Sequence, residues 1–409
     1  MQAVDATSPA PARSREWDLL LAGARLARDG GAVERVRALS GEDVDWDFVL
    51  GTAHQHRVLP LVHRNLAGTA GDLVPPAIQE RFRYAVQRNA RRSLFLTGEL
   101  LQIVELLGAH DIRSIPYKGP ALATSVYGDP SLRQYADLDL IVPAQDVVAA
   151  RALLVGRGYR PEKPSTDDRL RASIGIEKDI TLLHDERGVN LEIHWGITSE
   201  RDPVRIPPEW LWRNLETCTV AGRAVPTLAH ADLLLILCVH GAKHRWERLA
   251  WICDIAEIMR SGPSLDWSRL RQEASELGCE RMLLLGVLLA TELLDAEPPA
   301  DIREVCQNDP ALTALAGDVK GWMFGPSPAE LSLGEREQFF MRLRERPADR
   351  LRLATSQAKR YLAPTSRDVE ALPLPPSLRW VHYVVRPFRL AGEYGFGPFK
   401  RFVRGLLRS

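Results

Sequence analysis

Asp137-Leu138-Asp139-Leu140-Ile141-Val142 anchors the reading of the whole chain. Polar and apolar residues alternate, aliphatics then run on, and Pro143 stops them, which predicts a strand. Side chains two apart on a strand share a face, so both carboxylates point the same way. Carboxylates side by side repel and destabilise a fold unless a cation lies between them. Hard oxygen donors in that arrangement suit Mg²⁺, which keeps waters and adds substrate phosphates. A solvated acidic pair at a strand end is the competing reading.

Upstream, Arg113-Ser114-Ile115-Pro116-Tyr117 reads as a short strand, Lys118-Gly119-Pro120 as a turn, and 121–127 as a helix with Pro120 just inside its start. Glycine lets a backbone approach a phosphate, and a helix N-terminus favours anions. Downstream, 144–157 reads as an amphipathic helix closed by Gly158. Strands are expected at 178–184 and 189–195, joined as a hairpin by Asp185-Glu186-Arg187-Gly188. In the second, Leu191, Ile193 and Trp195 take one face, leaving Glu192 with Asn190 and His194 on the other. On an adjacent strand, Glu192 would complete a carboxylate cluster of the kind that holds two metal ions about 3.5–4 Å apart for phosphoryl transfer. Otherwise it is an exposed strand-face residue. The segment 112–196 is thus a small mixed α/β unit.

The flanks differ. From Glu16 to Ala109 the pattern is helical, with a long segment at 77–107. A small hairpin around Ala221-Gly222-Arg223 is followed by an apolar-periodic stretch at 231–260 and further helices to about Leu362. The expected organisation is a disordered tail at 1–13, a helical N-terminal region at 14–110, a core at 111–228, a helical C-terminal region at 229–363, and a Pro-containing linker with a basic aromatic tail at 364–409. The fold class is α+β.

The 409 residues carry 53 Lys plus Arg against 53 Asp plus Glu, so formal net charge is zero. With 45% hydrophobic residues this excludes wholesale disorder, and it disfavours bulk nucleic-acid binding, which needs a basic excess. The five cysteines form no CxxC pair and sit mostly among apolar neighbours. They are read as buried hydrophobes in a reducing compartment, and with no signal-peptide core and no apolar run of spanning length a cytoplasmic location is expected.

Tyr117-Lys118-Gly119, Asp137-Leu138-Asp139-Leu140-Ile141-Val142 and Leu191-Glu192-Ile193-His194-Trp195 together resemble the DNA polymerase beta-like nucleotidyltransferase superfamily. The similarity is closer still to its bacterial, poorly characterised branch, with a KG…R…DxDLhV…hEhHW pattern in which Arg133 takes the arginine position. Gly156-x-Gly158-Tyr159, the 240–249 segment and Trp251-Ile252-Cys253-Asp254-Ile255 extend the resemblance over 112–260.

That resemblance implies a short mixed sheet packed on helices, with three carboxylates in one cleft. It implies Mg²⁺ (or Mn²⁺) and attack by an acceptor on the α-phosphate of a nucleoside triphosphate. By position, Asp137 and Asp139 would ligate metal, Glu192 would be a further ligand or the general base, and Gly119 would lie under the phosphates. The usual Gly-Ser or Gly-Gly pair is Gly119-Pro120 here, so a phosphate-binding hydroxyl is missing, and the gap to Asp137 is longer than usual. Lys118 and Arg133 are expected to supply the missing contacts as cations. The alternatives are a solvated turn lysine and an Arg133 paired with Asp129 or Asp137.

His240, Lys243 and His244 fall at i, i+3, i+4 and face one way on a helix, where they would grip a triphosphate; a polar helix end is the alternative. Zinc is not expected, because Gly241 stands where a metalloprotease motif needs Glu. Trp246 and Trp251 are read as core. On an uninterrupted helix Asp254 would face the histidines, and a basic partner is expected for it.

The function expected is nucleotidyl transfer to a small-molecule, peptide (including natural-product) or protein acceptor, releasing pyrophosphate; a tRNA end falls within the same chemistry. The other readings are a non-catalytic nucleotide-binding or adaptor protein and a transferase of another phosphate-linked group such as a sugar. The arginines and aromatics of 377–409 are a candidate for contact with anionic membrane lipid, a peptide partner or nucleic acid, against a docked C-terminal segment.

Overall fold

A computed structural model describes residues 14–26, 30–174, 176–199, 204–261, 265–325 and 333–351, with Val381 and Val385. The N-terminal tail at 1–13 lies outside the described residues, as do the Pro-containing linker and basic aromatic tail at 364–409 apart from Val381 and Val385. By its internal contacts the chain divides into two units, Met1–Ser327 and Pro328–Ser409.

Among the described residues the first unit begins with the α-helices α1 (Arg15–Gly23), α2 (Gly30–Leu39), α3 (Trp46–Gln55), α4 (Leu59–Thr69) and α5 (Pro76–Gly108). Pro76 suits the first position of α5, where its missing N–H has no partner to lose. Leu96, Leu100, Ile103 and Leu107 recur at helical spacing and are fully buried. Each such side chain contributes about 1.5–3 kcal/mol of burial.

Strand β1 (Ile115–Pro116) leads into α6 (Gly119–Tyr127), then β2 (Asp137–Ile141), α7 (Val147–Gly156), β3 (Arg160–Pro161), α8 (Asp167–Ser173), β4 (Asp179–His184) and β5 (Val189–His194). These strands form one sheet in the order β1-β2-β5-β4-β3. β2 and β5 are parallel, and the other neighbours antiparallel, so the sheet is mixed. The fold is α+β.

The parallel register pairs Asp137 with Asn190, Asp139 with Glu192 and Ile141 with His194. The alternation then sorts the two faces. Leu138, Leu140, Leu191 and Ile193 enter a core with Leu96, Leu100, Ile103 and Leu107 of α5 and Val147, Ala150 and Leu154 of α7. The carboxylates are left on the other face.

A separate hairpin, β6 (Leu215–Val220) and β7 (Arg223–Leu228), precedes α9 (His230–Lys243), α10 (Leu249–Ser261), α11 (Trp267–Leu277), α12 (Glu280–Leu294), α13 (Ala300–Asn308) and α14 (Pro310–Phe324). The second unit contains α15 (Leu333–Arg342). All five cysteines are free and buried. Among the described residues, no helix is long and apolar enough to cross a membrane.

The 231–260 stretch is not one helix. Arg245 and Trp246 adopt left-handed φ angles of 55° and 54°, and the Trp246 N–H closes back on the Gly241 carbonyl at 2.8 Å. Trp246 is fully buried as expected, and it explains Gly241: a Cβ there would stand 2.5 Å from the indole ring. The periodicity continues through the break because both helices bury apolar faces.

Candidate active site

The carboxylate face of β2 and β5 carries the sequence-derived candidates. Asp139 is buried, whereas the Glu192 side chain is 35% exposed. His194, two residues beyond Glu192 and on the same face, joins them: its Nε2 lies 3.1 Å from Asp139 Oδ1 and 3.3 Å from Glu192 Oε2. Its Nδ1 lies 3.5 Å from Asp179 Oδ2 across the β4–β5 register. Asp139, Glu192 and His194 each offer a ligand atom, all within 4.8 Å of one another. Asp137 stands outside that set but on the same face.

Lys118 and Gly119 are placed by the turn into α6. Lys118 occupies the N-cap position, and its Nζ lies 3.4 Å from Asp139 Oδ1 and 4.9 Å from the Tyr117 ring centroid. Gly119 has φ +55°, a backbone state that glycine enters freely, and sits against the Asp137 carbonyl. The turn thereby presents a cation to the acidic strand.

The electrostatics follow from this crowding. Burial and the charges of Asp139 and Glu192 push the Asp137 carboxyl above its ordinary range, partly offset by Lys118 and Arg57. Burial also pushes Asp139 upward, but Lys118 and the His194 hydrogen bond outweigh it and hold that carboxyl far below the usual range. The His194 hydrogen bond lowers Glu192 against the opposing effect of burial. Burial and the neighbouring carboxylates raise the Tyr117 phenol. Two carboxylates, an imidazole and an adjacent third carboxylate have the donor chemistry of a divalent-cation site, and the Lys118 ammonium shows that positive charge is favoured there.

His240 reaches the same region from the end of α9. Burial, Lys118 and His244 hold its imidazole well below the usual range, and Asp139 opposes them. Burial and Lys243 bring His244 down to about 4. The two imidazole centroids are 4.6 Å apart and pack on the half-buried Trp251 at 5.2 and 5.4 Å. Trp251 therefore belongs to this aromatic group rather than to the core. Lys243 is exposed on the same turn.

Arg133 has a different partner from those expected. Its Nε and Nη2 each donate to Asp254 at 2.9 Å, and the Tyr127 hydroxyl donates to Asp254 Oδ1 at 2.8 Å. Asp254 points here, not toward the histidines, because the break at Arg245–Trp246 turns α10 away from the line of α9. The pair ties the loop before β2 to α10.

Sequence reasoning missed His194 and Asp179 as site residues, although the alternation from Glu192 marked His194's face. It also missed Arg57, which comes from the loop between α3 and α4 and carries no local signal.

A family model described as "Uncharacterised nucleotidyltransferase" matches residues 42–295, more than half of the chain. The chain belongs to this nucleotidyltransferase family. Membership makes the general activity nucleotidyl transfer, with a nucleoside triphosphate as the implied donor, and the matched span contains every carboxylate described above. Among solved structures, the chain is similar to an antigenic nucleotidyltransferase-like protein from Paracoccidioides brasiliensis, with 15% identity, a TM-score of 0.28, and coverage of 51% of this chain and 92% of that one. No curated protein matches the chain.

Proposed function

We propose that the protein is a Mg²⁺- or Mn²⁺-dependent enzyme that moves a nucleotidyl group from a nucleoside triphosphate to a small-molecule, peptide or protein acceptor. The observation that carries this reading is the convergence of Asp139, Glu192 and His194 within 4.8 Å beside Lys118 and Asp137. Asp139 and Glu192, with Asp137 and the His194 imidazole at their side, would hold the cation. When bound, the cation would polarise the phosphates and neutralise charge on the departing pyrophosphate.

The chain's own residues have distinct tasks. Asp139 is the deeply buried member, its carboxyl held below the usual range against the effect of burial by Lys118 and the His194 hydrogen bond. Glu192 is the carboxylate an acceptor reaches, being 35% exposed against 5% for Asp139. The acceptor's O–H or N–H gives its proton to Glu192 as the heteroatom bonds to the α-phosphorus, and the bond to the pyrophosphate oxygen breaks. Lys118 places positive charge beside that departing group, and Gly119 keeps the turn open to phosphate oxygens. His240, Lys243 and His244 line the α9 side as nucleotide contacts, with Trp251 as a flat surface behind them.

The test is incubation with each α-labelled triphosphate, Mg²⁺ or Mn²⁺, and pools of small molecules and peptides, reading label transfer and pyrophosphate. Transfer is expected in the wild type and absent in Asp139→Asn. Label transfer that survives combined Asp137→Ala and Asp139→Ala would overturn the assignment. Binding without pyrophosphate release would make the protein a nucleotide-responsive adaptor instead.

A further inference from the structure

Two arginines near the carboxylate face make no ion pair among the described residues. The loop between α3 and α4 is fastened on both sides. The His56 carbonyl accepts from the Ala250 N–H at 3.1 Å, His56 Nδ1 accepts from the Leu249 N–H at 3.3 Å, and Gln134 Oε1 accepts from the Leu59 N–H at 3.1 Å. These bonds hold Arg57 between the start of α10 and the segment that enters β2. They also bring it alongside Arg248, the residue before Leu249.

Arg57 is half-buried at φ +58°, a conformation that an L-residue with a long side chain enters at a cost. Among the described residues its side chain makes no ion pair or hydrogen bond. Arg248 is also half-buried, and its guanidinium lies 5.6 Å from the Trp251 ring centroid with no carboxylate partner among those residues. Burial and Arg248 both disfavour the charge on Arg57; Asp137 favours it, while Arg133 adds repulsion and is itself committed to Asp254. Like charges held together in a partly dry setting repel until an anion arrives. The anion must fit beside Asp137 and next to Lys118, and a planar guanidinium pairs best with phosphate oxygens.

We infer that Arg57 and Arg248 form a polyphosphate clamp, contributed by the α3–α4 loop and the segment entering α10 that packs against it, that grips the β- and γ-phosphates of the nucleotide. This rests on the nucleotidyl-transfer reading of the site, but its probe need not be a nucleotide.

The experiment is calorimetric titration of the full chain with inorganic tripolyphosphate in Mg²⁺, alongside steady-state kinetics with the preferred triphosphate. Arg57→Gln is expected to weaken tripolyphosphate binding by about tenfold or more, as for loss of one charge-assisted contact, with a larger loss when Arg248→Gln is added. Arg57→Lys should recover part of the loss. Arg57→Gly removes the clamp and relieves the left-handed backbone, so it should weaken binding while keeping or raising the thermal midpoint. A merely structural arginine would move both together.

Unchanged tripolyphosphate affinity in the double Gln variant, or no binding by the wild type, overturns the clamp. If pyrophosphate is released from a triphosphate with the same KM in wild type and double variant, the clamp falls and the proposed function stands. If tripolyphosphate binding depends on both arginines but no triphosphate is turned over, the clamp stands and the proposed function falls.

Discussion

Replacing Asp254 with alanine asks whether Arg133 serves the fold or the nucleotide. The Arg133 side chain is 10% exposed and that of Asp254 1%, and the pair is joined by two bonds of 2.9 Å with a third at 2.8 Å from Tyr127. Asp254→Ala leaves a buried guanidinium without a counter-charge, which costs about 3–5 kcal/mol. Of that, the orphaned Tyr127 hydroxyl accounts for about 1 kcal/mol. Arg133→Met strands the carboxylate instead, at a similar cost. The combined Arg133→Met and Asp254→Leu variant removes both charges and should lie within about 1 kcal/mol of the wild type, because a buried pair is itself expensive to desolvate. Urea unfolding of the wild type, Arg133→Met, Asp254→Leu and the combined variant closes a double-mutant cycle, with the midpoint shift at constant slope as the measure. Single variants each costing less than about 1 kcal/mol, or costs that simply add, would refute the pairing argument. The compensated double variant also addresses function. It should bind triphosphate within about twofold of the wild type; a loss beyond about tenfold with stability intact would put Arg133 on the phosphate after all.

Three further outcomes follow from the geometry. Mg²⁺ or Mn²⁺ should raise the thermal midpoint of the wild type, by the equivalent of about 2.7 kcal/mol at a hundredfold excess over its dissociation constant, and Asp139→Asn should abolish that rise; an unchanged shift in the variant would move the cation elsewhere. His56 is buried and its pKa is lowered to about 4 by burial and by Arg248, below its unfolded value. The unfolded chain therefore binds more protons, and stability is lost as pH falls through the interval from about 6.5 to 4. That loss is on the order of 2 kcal/mol between pH 7 and pH 5. His56→Gln should flatten that slope in denaturant midpoints measured across this range. Gly241→Ala should destabilise by about 1–3 kcal/mol in the same assay, because the new methyl meets the Trp246 ring at 2.5 Å and that indole is fully buried.

The elements legible in the sequence were those governed by local rules. Alternation in Asp137–Ile141 and Val189–His194 marked strands and their polar faces, Pro143 and the 185–188 turn bounded them, and the apolar spacing of α5 announced a long helix. The helix break at Arg245–Trp246 was not legible. Both flanking segments keep an apolar face, and the left-handed turn is held by Trp246 packing under Gly241, a contact that periodicity does not register.

The same division runs through the site. That Asp137 and Asp139 share a face, and Glu192 and His194 share another, follows from the two-residue repeat of a strand, which neighbouring residues impose on one another. That these two faces are one face depends on the parallel β2–β5 register, which sets Asp139 opposite Glu192 across more than fifty intervening residues. Arg133, an arginine with several acids in reach along the chain, takes Asp254 because burial selects the partner that satisfies the whole guanidinium fork. Arg57 had no motif around it; its place beside Asp137 comes from hydrogen bonds between segments distant in sequence. Residue types and spacing are properties of neighbours along the chain, whereas the pairing of charges is settled by which side chains remain in reach once water has been excluded.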